Sequence, residues 1–172
     1  MTRDNDVPPE PREVRRLSHV AEDGSARMVD VSAKEASARF AAATGRVRLS
    51  GEAAAAVRDQ ALPKGDVLTI ARIAGIQAAK RTWELIPLCH PIGLTGIDVD
   101  VALVGEEVQV AVRTRTHDRT GVEMEALTAV AVAGLTIIDM VKAIDPGATI
   151  TDVSVESKGG GVHGEWHREP RE

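Results

Sequence analysis

Residues 97–113 read Ile97-Asp98-Val99-Asp100-Val101-Ala102-Leu103-Val104-Gly105-Glu106-Glu107-Val108-Gln109-Val110-Ala111-Val112-Arg113. Ile97, Val99, Val101 and Leu103 alternate with Asp98, Asp100 and Ala102. After a Gly105-Glu106 turn, Val108, Val110 and Val112 alternate with Gln109, Ala111 and Arg113. A period of two with one apolar and one polar side predicts an antiparallel hairpin that is wet on one face. Its apolar face needs a cover, and the flanking segments supply helices. Ser50 precedes the Ala-rich stretch Gly51 to Leu62, with Glu52 in its first turn and Pro63 as its stop. A second helix is predicted from about Asp66 to Trp83, where Leu68, Ala71, Ile73, Ala74 and Ala78 recur at helical spacing. A third, from Val122 to about Ile144, is apolar on most sides and stopped by Asp145-Pro146-Gly147. Further strands are expected at Met28–Val31, at Thr44–Leu49 around a turn signal at Gly45, and at Ile150, Val153 and Val155. Two prolines bracket Ile86–Pro91, which predicts a rigid extended loop there. The sum is an α+β fold, a sheet with helices on one face. A helix with no obvious exposed side implies either a fully internal helix or an oligomer.

The 172 residues fit one domain, and their composition, 43% hydrophobic and 27% charged, is that of a globular chain. Residues 1–22, charged and Pro-rich, read as a flexible arm. Residues 23–158 read as a single catalytic domain, and residues 159–172 as a flexible Gly-rich tail. A net charge of −5 argues against nucleic acid as partner, and 2% aromatic residues argue against base stacking. One cysteine excludes an intrachain disulfide and a cysteine-based zinc site. The N-terminus has no apolar signal core, and the apolar run Ala129–Ile138 is far short of the roughly 20 residues a bilayer needs. A cytoplasmic location and no membrane contact are the default expectations.

Several positions carry candidate chemistry. Asp139 and Lys142 stand in the most apolar part of the longest helix, at i and i+3, about 60° apart around its axis. One reading is a buried structural ion pair, which contributes little to stability. The other is a carboxylate–ammonium couple poised for acid–base work. His90 lies between prolines in Cys89-His90-Pro91, held either by a loop hydrogen bond or for catalysis. The Cys-His adjacency is not a metal-ligand spacing, so no metal site is expected. Glu123 and Glu125 open the long helix, where the dipole favours acids. At i and i+2 they point to nearly opposite sides and should serve different neighbours. Lys64 precedes Asp66, which is placed to cap the next helix, either as a solvated cation or as a fixed charge near an anionic substrate. Lys80, Arg81, Arg113, Arg115, Arg119 and Lys158 would complete a phosphate site if they clustered with it. The Gly159-x-Gly161-x-x-Gly164 match is not a dinucleotide fingerprint, because the helix and strand that must follow are missing.

Six segments, in order, resemble one family. They are Met28–Ser32, Lys64–Val67, Ala71–Lys80, Leu85–Pro91, Thr120–Thr128 and Ile138–Ala143. Over about residues 24–158 the chain resembles molybdenum cofactor biosynthesis protein C, the family of cyclic pyranopterin monophosphate synthases. The resemblance implies a ferredoxin-like antiparallel sheet and a homohexamer, a trimer of dimers with active sites between subunits. It implies a lyase that acts on 3′,8-cyclo-7,8-dihydro-GTP supplied by a radical enzyme. The products are cyclic pyranopterin monophosphate and pyrophosphate. It implies catalytic roles for Asp139, Lys142, Lys64, His90, Glu123 and Glu125. Substrate binding falls to Leu88, Cys89, His90, Met124, Glu125, Lys80 and Lys158. It implies no cofactor, with Mg²⁺ accompanying the triphosphate as the one ion it leaves room for. Lys142 is expected to be the main general acid/base, with Asp139 orienting it and keeping it charged at rest. The family's tail commonly carries a second Lys where this chain has Val162-His163, which puts a phosphate contact from that position in doubt. Two competing readings are a nucleotide-binding scaffold without turnover and a purely structural hexamer.

Overall fold

The computed structural model describes residues 23–162 and 164–169. The expected arm at residues 1–22 lies outside them. The chain forms β1 (Ser37–Arg48), α1 (Gly51–Arg58), α2 (Val67–Ala79), α3 (Thr82–Leu85), β2 (Leu94–Val104), β3 (Glu107–Asp118), α4 (Glu123–Val141), β4 (Thr149–Gly159) and β5 (Trp166–His167). These elements make an α+β fold. One five-stranded antiparallel sheet runs in the order β2-β3-β1-β4-β5, with α2 and α4 packed on it. Without β5, this is a β-α-β-β-α-β arrangement in which β1 pairs on one side with β3 and on the other with β4.

The alternating stretch forms the hairpin β2–β3, with Leu103 opposite Val108 and Val104 opposite Glu107 across Gly105-Glu106. Gly105 takes φ 61°, the left-handed backbone that a two-residue turn of this kind needs. Val99, Val101, Val108, Val110 and Val112 are buried beneath the helices, as are Ala41, Ala43 and Val47 of β1. Each valine so removed from water contributes roughly 1.5–3 kcal/mol to the core.

α4 lies on β1, β3 and β4, and α2 runs antiparallel beside it. Small residues allow the close approach. A side chain at Gly75 would begin 3.2 Å from the Ala129 carbonyl, and one at Gly45 would begin 2.5 Å from Val130 Cγ1. Gly45, read from sequence as a turn, is therefore an interior strand position kept bare for α4. By length and composition α4 would pass for a membrane span, but it is the core helix of the fold.

Other expectations shift. Met28–Val31 is not a strand; the residues run irregularly into a turn closed by the Lys34 N–H to the Val31 carbonyl. The first helix ends at Arg58 rather than Leu62, and Gln60 takes φ 52° before Pro63. The helix expected from Asp66 to Trp83 breaks after Ala79, and α3 starts at Thr82. Ile86–Pro91 opens with a turn, Cys89 N–H to Ile86 O, before extending. The segment after Gly159, read as a flexible tail, returns to pair Trp166 with Lys158 and His167 with Ser157. Arg168 secures this return, with Nε donating to the Val155 carbonyl.

Candidate active site

The expected site residues fall into two groups at opposite ends of α4. At the C-terminal end, Lys142 is the cap of α4 and donates from Nζ to Asp139 Oδ1 at 2.7 Å. Lys64, brought in by the loop before α2, donates to Asp139 Oδ2 and to the Asp139 carbonyl, both at 2.8 Å. One carboxylate thus holds two ammonium groups and leaves a net positive cluster. The two lysines pull the Asp139 carboxyl down to about 2 by hydrogen bonding and charge, so it is an anchor rather than a proton carrier. The group is not buried. The Asp139 side chain is 56% exposed, with Lys142 and Lys64 similar, which corrects the expectation of a pair enclosed in the helix core. Position 139 shares the outward side of α4 with Leu135, itself 59% exposed. Asp66 caps α2 through Oδ1, which accepts from the Leu68 and Thr69 N–H groups, and so fixes the loop that presents Lys64.

At the N-terminal end of α4 a cavity of about 380 Å³ is lined by Val29, Val31, Lys34, Leu88, Cys89, His90, Ile92, Thr120, Gly121, Glu123, Met124 and Glu125. Two buried threonines of β3 set its walls. Thr114 donates to the Val122 carbonyl at 3.0 Å, fixing the start of α4, and Thr116 donates to the Gly93 carbonyl at 2.7 Å, fixing the loop after His90. His90 donates from Nε2 to the Val29 carbonyl at 2.8 Å. A carbonyl can only accept, so this contact places the proton on Nε2 and leaves the Nδ1 lone pair available.

Glu123 accepts from Lys158 Nζ at 2.8 Å. Glu125 is 3% exposed, and burial first, then the charge of Glu123, pushes its carboxyl up to about 7. Glu123 pairs with Lys158, and both acids line one cavity. Burial and the nearby Glu125 also raise the Cys89 thiol. The cavity therefore offers a fixed imidazole acceptor, a carboxylate on an ammonium and a carboxylic acid that titrates near neutrality.

Not every expected residue joins either group. Lys80 caps the C-terminal end of α2, exposed, and does not line the cavity. Arg113 and Arg115 lie on the other face of the sheet. Arg113 stacks 4.6 Å over Phe40, and Arg115 pairs with Asp98 at 2.6 Å. They do not cluster with Lys64. Among the described residues no three His, Cys, Asp or Glu side chains are placed to hold a metal ion. Val29, Val31, Lys34 and Ile92 line the cavity but were not singled out from the sequence as site residues. Val29 and Val31 carry a signal in the sequence, the family-like segment Met28–Ser32; Lys34 and Ile92 come in only by proximity, which spacing along the chain does not give.

The two groups are far apart. Sixteen residues of helix separate Glu123 from Asp139, about 24 Å at 1.5 Å per residue.

Known proteins similar to this chain share one description. A family profile described as "MoaC family" matches residues 28–161. A Streptomyces avermitilis protein named cyclic pyranopterin monophosphate synthase is 55% identical over 160 residues, 93% of this chain and 94% of its own length. A Streptomyces coelicolor protein of the same name is 56% identical over 153 residues, 89% of this chain and 90% of its own. One from Thermomicrobium roseum, also so named, is 53% identical over 158 residues, 91% and 95% of the two lengths.

Proposed function

This chain belongs to the MoaC family, and on that premise we propose that it is an enzyme of molybdenum cofactor biosynthesis, a lyase that forms cyclic pyranopterin monophosphate. Its substrate in this reading is 3′,8-cyclo-7,8-dihydro-GTP, supplied by a radical enzyme, and its second product is pyrophosphate. The observation that carries the reading is the pair of polar groups at the two ends of one family-matched helix, Lys64–Asp139–Lys142 at one end and His90, Glu123 and Glu125 at the other.

Rebuilding the purine-derived rings requires several proton transfers, and closing the cyclic phosphate requires a substrate hydroxyl to attack the α-phosphorus. The hydroxyl proton passes to a base as the bond to pyrophosphate breaks. With Nε2–H spent on the Val29 carbonyl, neutral His90 keeps Nδ1 as its acceptor, and Glu125, titrating near 7, can donate or accept a proton at neutral pH. Lys142 and Lys64 bring the positive charge that stabilises the developing phosphate anion, with Lys142 as the main acid/base. Asp139 positions both ammonium groups from its two oxygens. The steps move protons and a phosphoryl group without net oxidation, so the reading calls for no redox cofactor. Mg²⁺ would arrive as part of the triphosphate substrate.

Both groups can meet one substrate only if each comes from a different copy of the chain, because about 24 Å of helix separates them within one. A homo-oligomer, read as a trimer of dimers, supplies that juxtaposition. Exposed Ile70 and Ile73 of α2, Leu135 of α4, and Trp83 and Leu85 of α3 leave the helical side with apolar surface suited to a second copy. In this reading the enzyme acts on a small molecule in the cytoplasm.

The test is turnover of 3′,8-cyclo-7,8-dihydro-GTP, following the pterin and pyrophosphate together. Wild type should release both. Lys142→Ala should stay folded and assembled but lose at least ~100-fold in rate, as expected for a proton-transfer group. Near wild-type turnover by Lys142→Ala would remove that assignment, and substrate binding without product by wild type would favour a scaffold.

A further inference from the structure

Asp145 is a buried acid that the reaction proposed above does not use. Stopping α4 calls for Pro146 and Gly147, not for a buried carboxylate beside them. Asp145 is 8% exposed and has no Lys, Arg or His within ion-pair distance among the described residues. Both of its oxygens accept from backbone N–H groups instead. Oδ1 takes the Gly147 N–H at 3.1 Å, inside its own turn, and Oδ2 takes the Ser50 N–H at 2.6 Å. Pro146 fixes its own φ and stiffens the turn, so Oδ2 stays aimed across the chain. The backbone N–H of Asp145 donates to the Val141 carbonyl at 2.9 Å, which makes this carboxylate a rigid extension of the last turn of α4.

The group it holds leads to the ammonium pair. Ser50 opens the segment 50–64, and that segment ends on Lys64. Both of its ends are tied to the same end of α4: the Ser50 N–H to Asp145, and Lys64 Nζ to the carboxylate and carbonyl of Asp139. Between them the segment is compact. Val57 and Leu62 are buried, and the Gly65 N–H closes on the Leu62 carbonyl at 3.1 Å. Lys142 reaches Asp139 from the same stretch of chain, three residues on. Lys64 has no such guarantee, and where it arrives depends on where residues 50–64 are fastened.

We infer that Asp145 is a positioning residue of the ammonium pair: by anchoring Ser50 it sets segment 50–64 along α4 so that Asp139 seats Lys64 and Lys142 together. The inference rests on the roles proposed above for the two lysines.

Two substitutions test it in the whole, assembled protein. Asp145→Asn can keep the Gly147 contact but turns an NH₂ donor towards the Ser50 N–H. Ser50→Pro removes that N–H from the other side, and Ser50 already takes φ −67°, the value proline prefers. Ser50→Ala is the control, since it keeps the N–H and removes only the side-chain cap on Ala53. The first readout is the Asp139 carboxyl, titrated by NMR. In wild type and in Ser50→Ala it should stay near 2, where the two lysines hold it. In Asp145→Asn and Ser50→Pro it should move up toward 3.8 as Lys64 withdraws. The second readout is turnover, in which kcat should drop about tenfold or more with KM little changed, the mark of a displaced transition-state group. A merely structural role would lower stability and leave the Asp139 titration where it is. If one of the two variants does not fold, the other decides. An unchanged Asp139 titration in Asp145→Asn and Ser50→Pro overturns the inference, and so does an equal rise in Ser50→Ala. A wild type that makes no pterin, with the Asp139 rise still seen in the variants, would remove the proposed reaction and leave the tie in place.

Discussion

Burial raises the Glu125 carboxyl to about 7, and its proton links stability to pH. Its carboxyl titrates near 7 in the fold against 4.5 when unperturbed. From pH 4.5 to 7 the unfolded chain loses this proton while the folded chain keeps it. Stability therefore falls as pH rises through that window, by about 3 kcal/mol in all, and is level above it. Glu125→Gln, which buries a neutral amide of the same shape, should remove the fall. In thermal melts, wild type and variant should differ little at pH 4.5, and the variant should melt higher at pH 8. A variant that is equally or less stable at pH 8 would show that the carboxyl is ionised without cost. Asp139 behaves oppositely. Its carboxyl, held near 2 by two exposed lysines, is ionised throughout this range, and its role is geometric. Its pairing with Lys142 was legible because an acid and a base stand three apart in an apolar run. Its exposure was not, since a helix turns 100° per residue and apolar neighbours in sequence need not be neighbours in space. Leu135 and Asp139 share the open side, while Ile137, Met140 and Val141 go inside.

At the level of elements, strand alternation in residues 97–113 was enough to set the β2–β3 hairpin and its buried face. The alternation read truly because each valine on one side meets the helices. Gly45 was misread because a bare position can serve a turn or a close approach, and only the opposing element distinguishes them. Here it is α4. A methyl group at Gly45 would meet Val130 Cγ1 at 2.5 Å and Val153 Cγ2 at 3.3 Å. Val130 is buried and stiff at χ1, so it cannot swing away. Gly45→Ala should therefore lower stability by about 1–3 kcal/mol, the usual cost of overpacking, measured by denaturant unfolding. A neutral effect would mean that α4 can move off the sheet. The break between α2 and α3 escaped the sequence for a related reason. Apolar spacing continues through it, while Thr82 turns its hydroxyl back to the Ala78 and Ala79 carbonyls, 3.4 and 3.2 Å away. The strand β5 had too few residues to give a pattern, and its pairing beside Lys158 depends on contacts with β4.

At the scale of the whole molecule, the proposed reading assigns one chain two half-sites that its own α4 holds about 24 Å apart. α4 is the reason, since it presents Glu123 and Glu125 at one end and Asp139 and Lys142 at the other. The family motifs named the candidate residues of both groups by number. Their separation was not legible, because a motif order along the chain carries no distance until the helix length and direction are fixed. The central claim is that one site takes the ammonium pair from one copy and the His90–Glu125 cavity from another. Mixing two inactive variants tests it most directly: Lys142→Ala and Glu125→Gln, co-expressed or unfolded and reassembled together, then assayed for pterin and pyrophosphate. In a two-fold pair each mixed dimer regenerates one intact site, so random assembly should restore about a quarter of wild-type activity. Activity that stays at the level of the separate variants, in assemblies shown to be mixed, would mean that each chain completes its own site and would contradict the account.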